Sequence, residues 1–216
     1  MKSCRSAFSI IELLVVMAVI AVLAVLSLGI VSSLRRKARA VECAENLRQL
    51  GASALLYAAD HEATLPATSH QRSTGGVSWT KSLQDYAGGT LVFRCPADED
   101  KSRVYSYVIN DFLTPNPAGA PTLDYSRLPR LARPPATMLF GEASAANNES
   151  DHFHFADYQG QLIPAPAVAA EIAVERHAGA AHYVFADGHL ESISWPEVQQ
   201  RLRTPGNPFI DPTAGE

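Results

Sequence analysis

The side chains that could do chemistry in this chain are histidines, carboxylates and cysteines, and they fall into four groups. His177 precedes Asp187-Gly188 by nine intervening residues. A histidine and an acid are two parts of a hydrolytic site. No serine or cysteine nucleophile stands in a recognisable context, however, and no phosphate-cradling glycine loop occurs, so no catalytic residue is assigned. Asp187-Gly188 suits a type I′ hairpin turn, with His177 left to hydrogen-bond nearby backbone. His152-Phe153-His154 alternates like a strand and would place two imidazoles on one face. With Asp151 and Asp157 these make a His/carboxylate set that can suit zinc, although the spacing matches no specific metal motif. Asp98-Glu99-Asp100 offers the clustered oxygens that calcium needs, and equally reads as a solvated turn. No metal and no cofactor is expected from these patterns.

The cysteines are Cys4, Cys43 and Cys95. Cys4 lies ahead of a long apolar run, so Cys43 and Cys95 remain as an even pair after it. They are a candidate disulfide if the region beyond the run is exported, and two buried thiols otherwise. The run itself, Leu13 to Leu34, contains no charged residue. As a helix it would cover the roughly 30 Å core of a bilayer. Its length and the basic residues that follow it fit poorly with an ordinary cleaved secretory signal. A plain anchor would leave Glu12 unexplained, because a carboxylate at the head of a membrane helix needs a partner or the interface.

Charge is unevenly spread. Residues 1–60 carry seven basic and four acidic side chains, +3, so the remainder holds −7 of the overall −4. An acidic folded region offers no broad phosphate-neutralising surface, and no nucleic-acid partner is expected.

Ala7-Phe8-Ser9-Ile10-Ile11-Glu12-Leu13-Leu14 resembles the signal of type IV prepilins and type II secretion pseudopilins. The resemblance implies cleavage between Ala7 and Phe8 and N-methylation of Phe8 by a prepilin peptidase/N-methyltransferase. Ala7 stands where the family usually has glycine. It further implies that Glu12 acts in assembly, by neutralising the new amine of a neighbouring subunit. Two buried charges that meet cost far less than two that do not. A narrower resemblance joins Cys43-Ala44-Glu45-Asn46-Leu47-Arg48-Gln49-Leu50-Gly51, then Phe93-Arg94-Cys95-Pro96-Ala97-Asp98, then His177 with Asp187-Gly188. These look like the pilin-like proteins named for an H-x9-DG motif. The implied protein is a structural subunit of a type IV pilus or pseudopilus and not an enzyme; the alternative is a minor or tip protein presenting an adhesive or ligand-binding head. Its partners would be other pilin-like subunits, the envelope assembly machinery and membrane lipid. It would be a single-pass inner-membrane protein with a cytoplasmic N-terminus and an exported, periplasmic head.

The elements that must position these residues follow from spacing. Leu34, Ala38, Val41, Ala44, Leu47, Gly51, Ala54 and Ala58 recur at helical intervals, and no proline interrupts before Pro66. One helix over about 9–60 is expected, its second half amphipathic. Beyond it, Trp79–Tyr86 reads as a short helix, and Leu91–Phe93, Tyr105–Ile109 and Thr137–Phe140 as strands. Pro115 to Pro135 reads as a surface loop, Ala181–Ile193 as a hairpin, and Trp195–Leu202 as a closing helix. The expected class is α+β, a long N-terminal helix on a small antiparallel sheet, pilin-like. The boundaries are a leader at 1–7, a transmembrane helix at 8–34, an amphipathic stem at 35–60, a head at 61–204 and a flexible tail at 205–216.

Overall fold

The computed structural model describes residues 9–70, 77–89, 91–115, 124–147, 150–153, 155, 158 and 160–215, without the side chains of 26–30, 91 and 215. The leader, with Ala7 and Phe8, lies outside the described residues, as do Cys4, His154 and Asp157. The chain divides into two units, Met1–Ala38 and Arg39–Glu216. Helix α1, Ile10–Asp60, contributes to both.

In the first unit the helix begins with a capping box. The Ser9 hydroxyl accepts from the Ile11 N–H at 3.3 Å, while Glu12 Oε2 accepts from the Ser9 N–H at 2.9 Å. Every side chain from Ile10 to Val25 is exposed, although the sequence there is almost wholly apolar. A helix that is apolar all round has no solvent-facing side, the pattern of a helix meant for lipid or for packing among other helices. Among the described residues, no helix is long and apolar enough to cross a membrane. The undescribed side chains of residues 26–30 lie inside the uncharged run.

The second unit is α+β. Its sheet comprises β1 (Tyr107–Asn110), β2 (Met138–Glu142), β3 (His152–Phe153), β4 (Ala180–Phe185) and β5 (Leu190–Ser194), in the order β3-β1-β2-β4-β5. Only the β1–β3 pairing is parallel. On one face, Cys43, Leu47, Leu50, Ala54 and Ala58 of α1 pack with Trp79, Phe93, Tyr107, Ile109, Phe140 and Val184. A short helix, α2, spans Trp79–Ser82, and the opposite face is closed by α3 (Ala165–Glu171), α4 (Trp195–Arg203) and the C-terminal segment, through Val168, Ile172, Val198, Leu202, Phe209 and Ile210. The tail is therefore fixed and not flexible as expected. Phe209 O accepts from the Met138 N–H at 2.8 Å, and Asn110 Nδ2 donates to Ile210 O at 2.8 Å. A sheet with apolar side chains on both faces needs two covers, and the tail supplies part of the second.

Other expectations shift for local reasons. The buried stripe of α1 runs through Cys43 and Leu50, whereas Leu34 and Val41 are exposed. Of the stripe named from the sequence, Leu47, Gly51, Ala54 and Ala58 are buried as expected. Leu91–Phe93 forms a 3-10 turn and not a strand. The proline-rich stretch contains two 3-10 turns, at Leu128–Arg130 and Pro134–Ala136, and Tyr125 is buried. Asp151 ties the far edge of the sheet. Its carboxylate accepts from the Ser69 N–H and hydroxyl, the Ser78 hydroxyl and His152 Nδ1, and its backbone carbonyl accepts from Trp79 Nε1.

The β4–β5 connection is not type I′. The Gly188 N–H bonds to Phe185 O and the Phe185 N–H to His189 O, with Gly188 alone at positive φ, +88°. This is a turn closed by a left-handed glycine, a bulged hairpin. A Cβ on Gly188 would lie 2.6 Å from Leu55 of α1, and one on Gly51 2.6 Å from Val184. The two glycines let helix and hairpin meet. Gly51→Ala should gain about 1 kcal/mol of helix propensity. Overpacking against Val184 should cost about 1–3 kcal/mol. A net fall in the chemical-denaturation midpoint is the expected outcome, and a rise would show that Val184 yields without strain.

Candidate functional site

Cys43, Cys95 and His177 converge on Glu142, which the sequence reading did not single out. Its signal was visible only as the one carboxylate ending the otherwise uncharged strand β2. Cys43 faces the sheet from α1, and Cys95 follows the 3-10 turn at Leu91–Phe93. His177 sits before β4 in a two-residue turn: its N–H donates to Ala180 O at 2.8 Å, and the Ala180 N–H returns to His177 O at 3.3 Å. The central residues, Ala178 and Gly179, have φ of 57° and 87°, the left-handed pair of a type I′ turn. The turn type expected at Asp187-Gly188 thus occurs at the histidine end of the same motif.

The polar geometry is dense. Glu142 Oε1 lies 3.3 Å from Cys43 Sγ, 3.1 Å from His177 Nε2 and 3.3 Å from Arg176 Nη1. Oε2 accepts from the His182 N–H at 3.3 Å. Cys95 Sγ is 3.8 Å from His177 Nε2, and the Tyr107 hydroxyl donates to Cys43 Sγ at 3.3 Å. Arg176 also donates to Ala143 O and pairs with Asp98 at 3.6 Å. Asp98 is thus a buried partner of this cluster, not part of a solvated turn. His177 bonds side chains through its ring where backbone contacts had been expected. His182 stacks on it, ring centroids 4.4 Å apart, and reaches Ala40 O of the helix.

Glu142 has no exposed surface. Burial alone would raise its pKa, but the hydrogen bond and charge of His177 and the Arg176 guanidinium hold it at about 2. Burial pushes His177 down, yet the contacts with Cys95 and Glu142 carry it to about 9. Burial above all raises the Cys43 thiol. A hydrogen bond from Cys43 draws Cys95 down, against burial and with help from His177, to about 6.

Both thiols are free, with the sulfurs within 4.8 Å of each other. The candidate disulfide pair of the sequence analysis is thus a pair of buried thiols. Asp187 lies apart from this cluster and bonds His189 Nδ1 at 2.5 Å beside its own turn. The H-x9-DG residues therefore do not gather at one site: His177 joins the cluster, whereas Gly188 meets Leu55. The other His/carboxylate expectation changes membership too. The donor atoms of His152 gather with those of His70 and Asp111 within 4.8 Å, while Asp151 is engaged by Ser69, Ser78 and His152.

The family model described as the prokaryotic N-terminal methylation motif matches residues 2–28. Comparison with curated proteins and with solved structures gives no match. The N-terminus carries a prepilin-like signal, with Glu12 in the first turn of α1. This supports a pilin-like or pseudopilin precursor in general terms.

Glu142→Gln should cost about 3–5 kcal/mol at neutral pH, because buried His177 loses its anionic partner and buried Arg176 keeps Asp98 alone. A depressed carboxylate stabilises the fold fully above its unfolded pKa, here 4.5, and loses that contribution as pH falls through about 2. The difference between wild type and variant should therefore shrink over that window in urea titrations. A difference independent of pH would show that shape, not charge, is what Glu142 supplies.

Proposed function

We propose that this chain is a pilin-like structural subunit, made as a precursor, cut between Ala7 and Phe8, methylated at Phe8 and assembled through its N-terminal helix. The observation that carries this reading is the methylation-motif match over residues 2–28, together with the helix that follows it. That helix exposes apolar side chains from Ile10 to Val25 and then, from Cys43 onward, serves as the spine of a folded unit. Such exposure is unfavourable in water at about 25 cal/mol per Å² of apolar surface and is relieved by lipid or neighbouring helices. The head is placed on the exported side, with the basic residues from Arg35 to Arg39 reaching lipid headgroups. The pilin-like arrangement of long helix and sheet belongs to the same proposal.

Glu12 has two roles in this reading. Within the chain it closes the capping box on the Ser9 N–H. After cleavage the amine of Phe8 would stand next to Ser9, and in an assembly the same carboxylate would meet the amine of a neighbouring subunit. Glu12→Gln keeps a side chain able to accept from Ser9 but removes the charge.

Mass spectrometry of the native N-terminus should find methylated Phe8 as the first residue, and Ala7→Glu should block cleavage. Recovery of intact Met1 protein from a host with active prepilin peptidase would overturn the processing step. Glu12→Ala and Glu12→Gln should both insert, be cleaved and fold, yet lose crosslinking between cysteines engineered on adjacent helices. Full crosslinking by the Gln variant would assign Glu12 to capping alone.

A further inference from the structure

We propose that Cys43, Cys95, Glu142 and His177 form a binding site for a single divalent metal ion of the zinc class, joining α1, the segment after Phe93, strand β2 and the turn before β4. One donor atom from each residue lies within 4.8 Å of the other three, and all four side chains are largely withdrawn from water. Zinc bonds of about 2.3 Å to sulfur and 2.0–2.1 Å to nitrogen or oxygen require tetrahedral edges of roughly 3.3–3.8 Å. The observed edges are 3.3 Å for Cys43 Sγ to Glu142 Oε1, 3.8 Å for Cys95 Sγ to His177 Nε2, and 3.1 Å for His177 Nε2 to Glu142 Oε1. These three edges lie within about 0.3 Å of tetrahedral ones, and the other three donor pairs lie within 4.8 Å. Two thiolates, an imidazole and a carboxylate are a donor set suited to zinc and poorly suited to calcium or magnesium.

Supporting contacts fit the same assignment. Two thiolates, Glu142 and Asp98 bring four negative charges and a divalent ion and Arg176 three positive ones, so the ion reduces the surplus negative charge of the cluster to one. The 3.1 Å contact between His177 Nε2 and Glu142 Oε1 would give way to coordination of both atoms to the ion. The groups that orient metal ligands are in place as well. The Tyr107 hydroxyl donates to Cys43 Sγ, the His182 N–H holds the outer oxygen of Glu142, and the His182 ring stacks on His177. A site with all four positions taken by protein is structural, not catalytic. Its effect would be to tie the helix to the sheet at the histidine end of β4.

The test uses full-length protein purified in detergent under reductant, stripped with chelator and titrated with zinc or cobalt(II). A single zinc ion per chain should bind and raise the thermal midpoint. Cobalt should give thiolate charge-transfer absorption with tetrahedral visible bands, and the charge-transfer intensity should fall by about half in Cys95→Ser. X-ray absorption of the wild-type zinc form should count two sulfur and two nitrogen or oxygen neighbours, a readout that depends on no variant folding. Tyr107→Phe, which keeps the ring in the core, should weaken zinc binding by about 10–100-fold. The proposal is overturned by zinc uptake equal in wild type and in Cys43→Ala/Cys95→Ala, or by an absorption edge without sulfur neighbours. It is equally overturned if native protein, unfolded without reductant, yields no free thiol at either position, because a Cys43–Cys95 disulfide would then occupy both sulfurs.

Discussion

A carboxylate with no exposed surface must be compensated, and in this protein the compensation of Glu142 organises everything around it. An unpaired buried charge is costly by several kcal/mol, whereas one held by several donors can be accommodated. The donors come from separate parts of the chain: Cys43 from the helix, Arg176 and His177 from the turn before β4, and the backbone of His182 from β4 itself. None of these can move far without exposing the carboxylate to an unpaired interior. The left-handed Ala178 fits this picture. A non-glycine residue in that region is held by its surroundings, and here those surroundings present the imidazole of His177 to the carboxylate.

The same logic gives the H-x9-DG spacing a physical meaning. The strand between its ends is β4, which lies along α1. At one end His177 meets Glu142 beside Cys43; at the other Gly188 lies against Leu55. Cys43 and Leu55 are twelve residues apart, about 18 Å along a helix, a distance that an extended strand of this length covers. The glycine is needed twice over, for its positive φ and for the absence of a Cβ at the helix surface. Between these ends Gly51 makes room for Val184. The spacing therefore measures helix against strand and does not assemble a catalytic pair.

Helix α1 carries two kinds of information in one continuous element. In the first unit its side chains through Val25 are exposed on all sides and, Glu12 apart, apolar, and its start is fixed by Ser9 and Glu12. In the second unit it is amphipathic, with buried small residues that admit the sheet. Apolar exposure all round calls for an environment that the chain does not itself provide, while the amphipathic half is satisfied within the fold.

The sequence by itself determined what depends on short-range order. Helical spacing and the absence of proline before Pro66 defined α1, and the offsets of Ala7, Phe8 and Glu12 defined the prepilin-like signal that the family match supports. Two β-type runs meeting at a turn dipeptide marked the β4–β5 hairpin, and the helix expected at Trp195–Leu202 is α4. The tertiary structure decided the rest, because the deciding contacts are remote in sequence. Cys43 and Glu142 are 99 residues apart, so nothing local could show that a lone carboxylate at the end of β2 would become the centre of the site. The tail looked like a flexible terminus until the second face of the sheet required Phe209 and Ile210 to cover it. Asp98 looked solvated until Arg176 reached it. The hairpin dipeptide was legible but its geometry was not, since the close approach of Leu55 to Gly188 and the placing of a single positive φ are properties of the packed helix and sheet, not of the four turn residues alone.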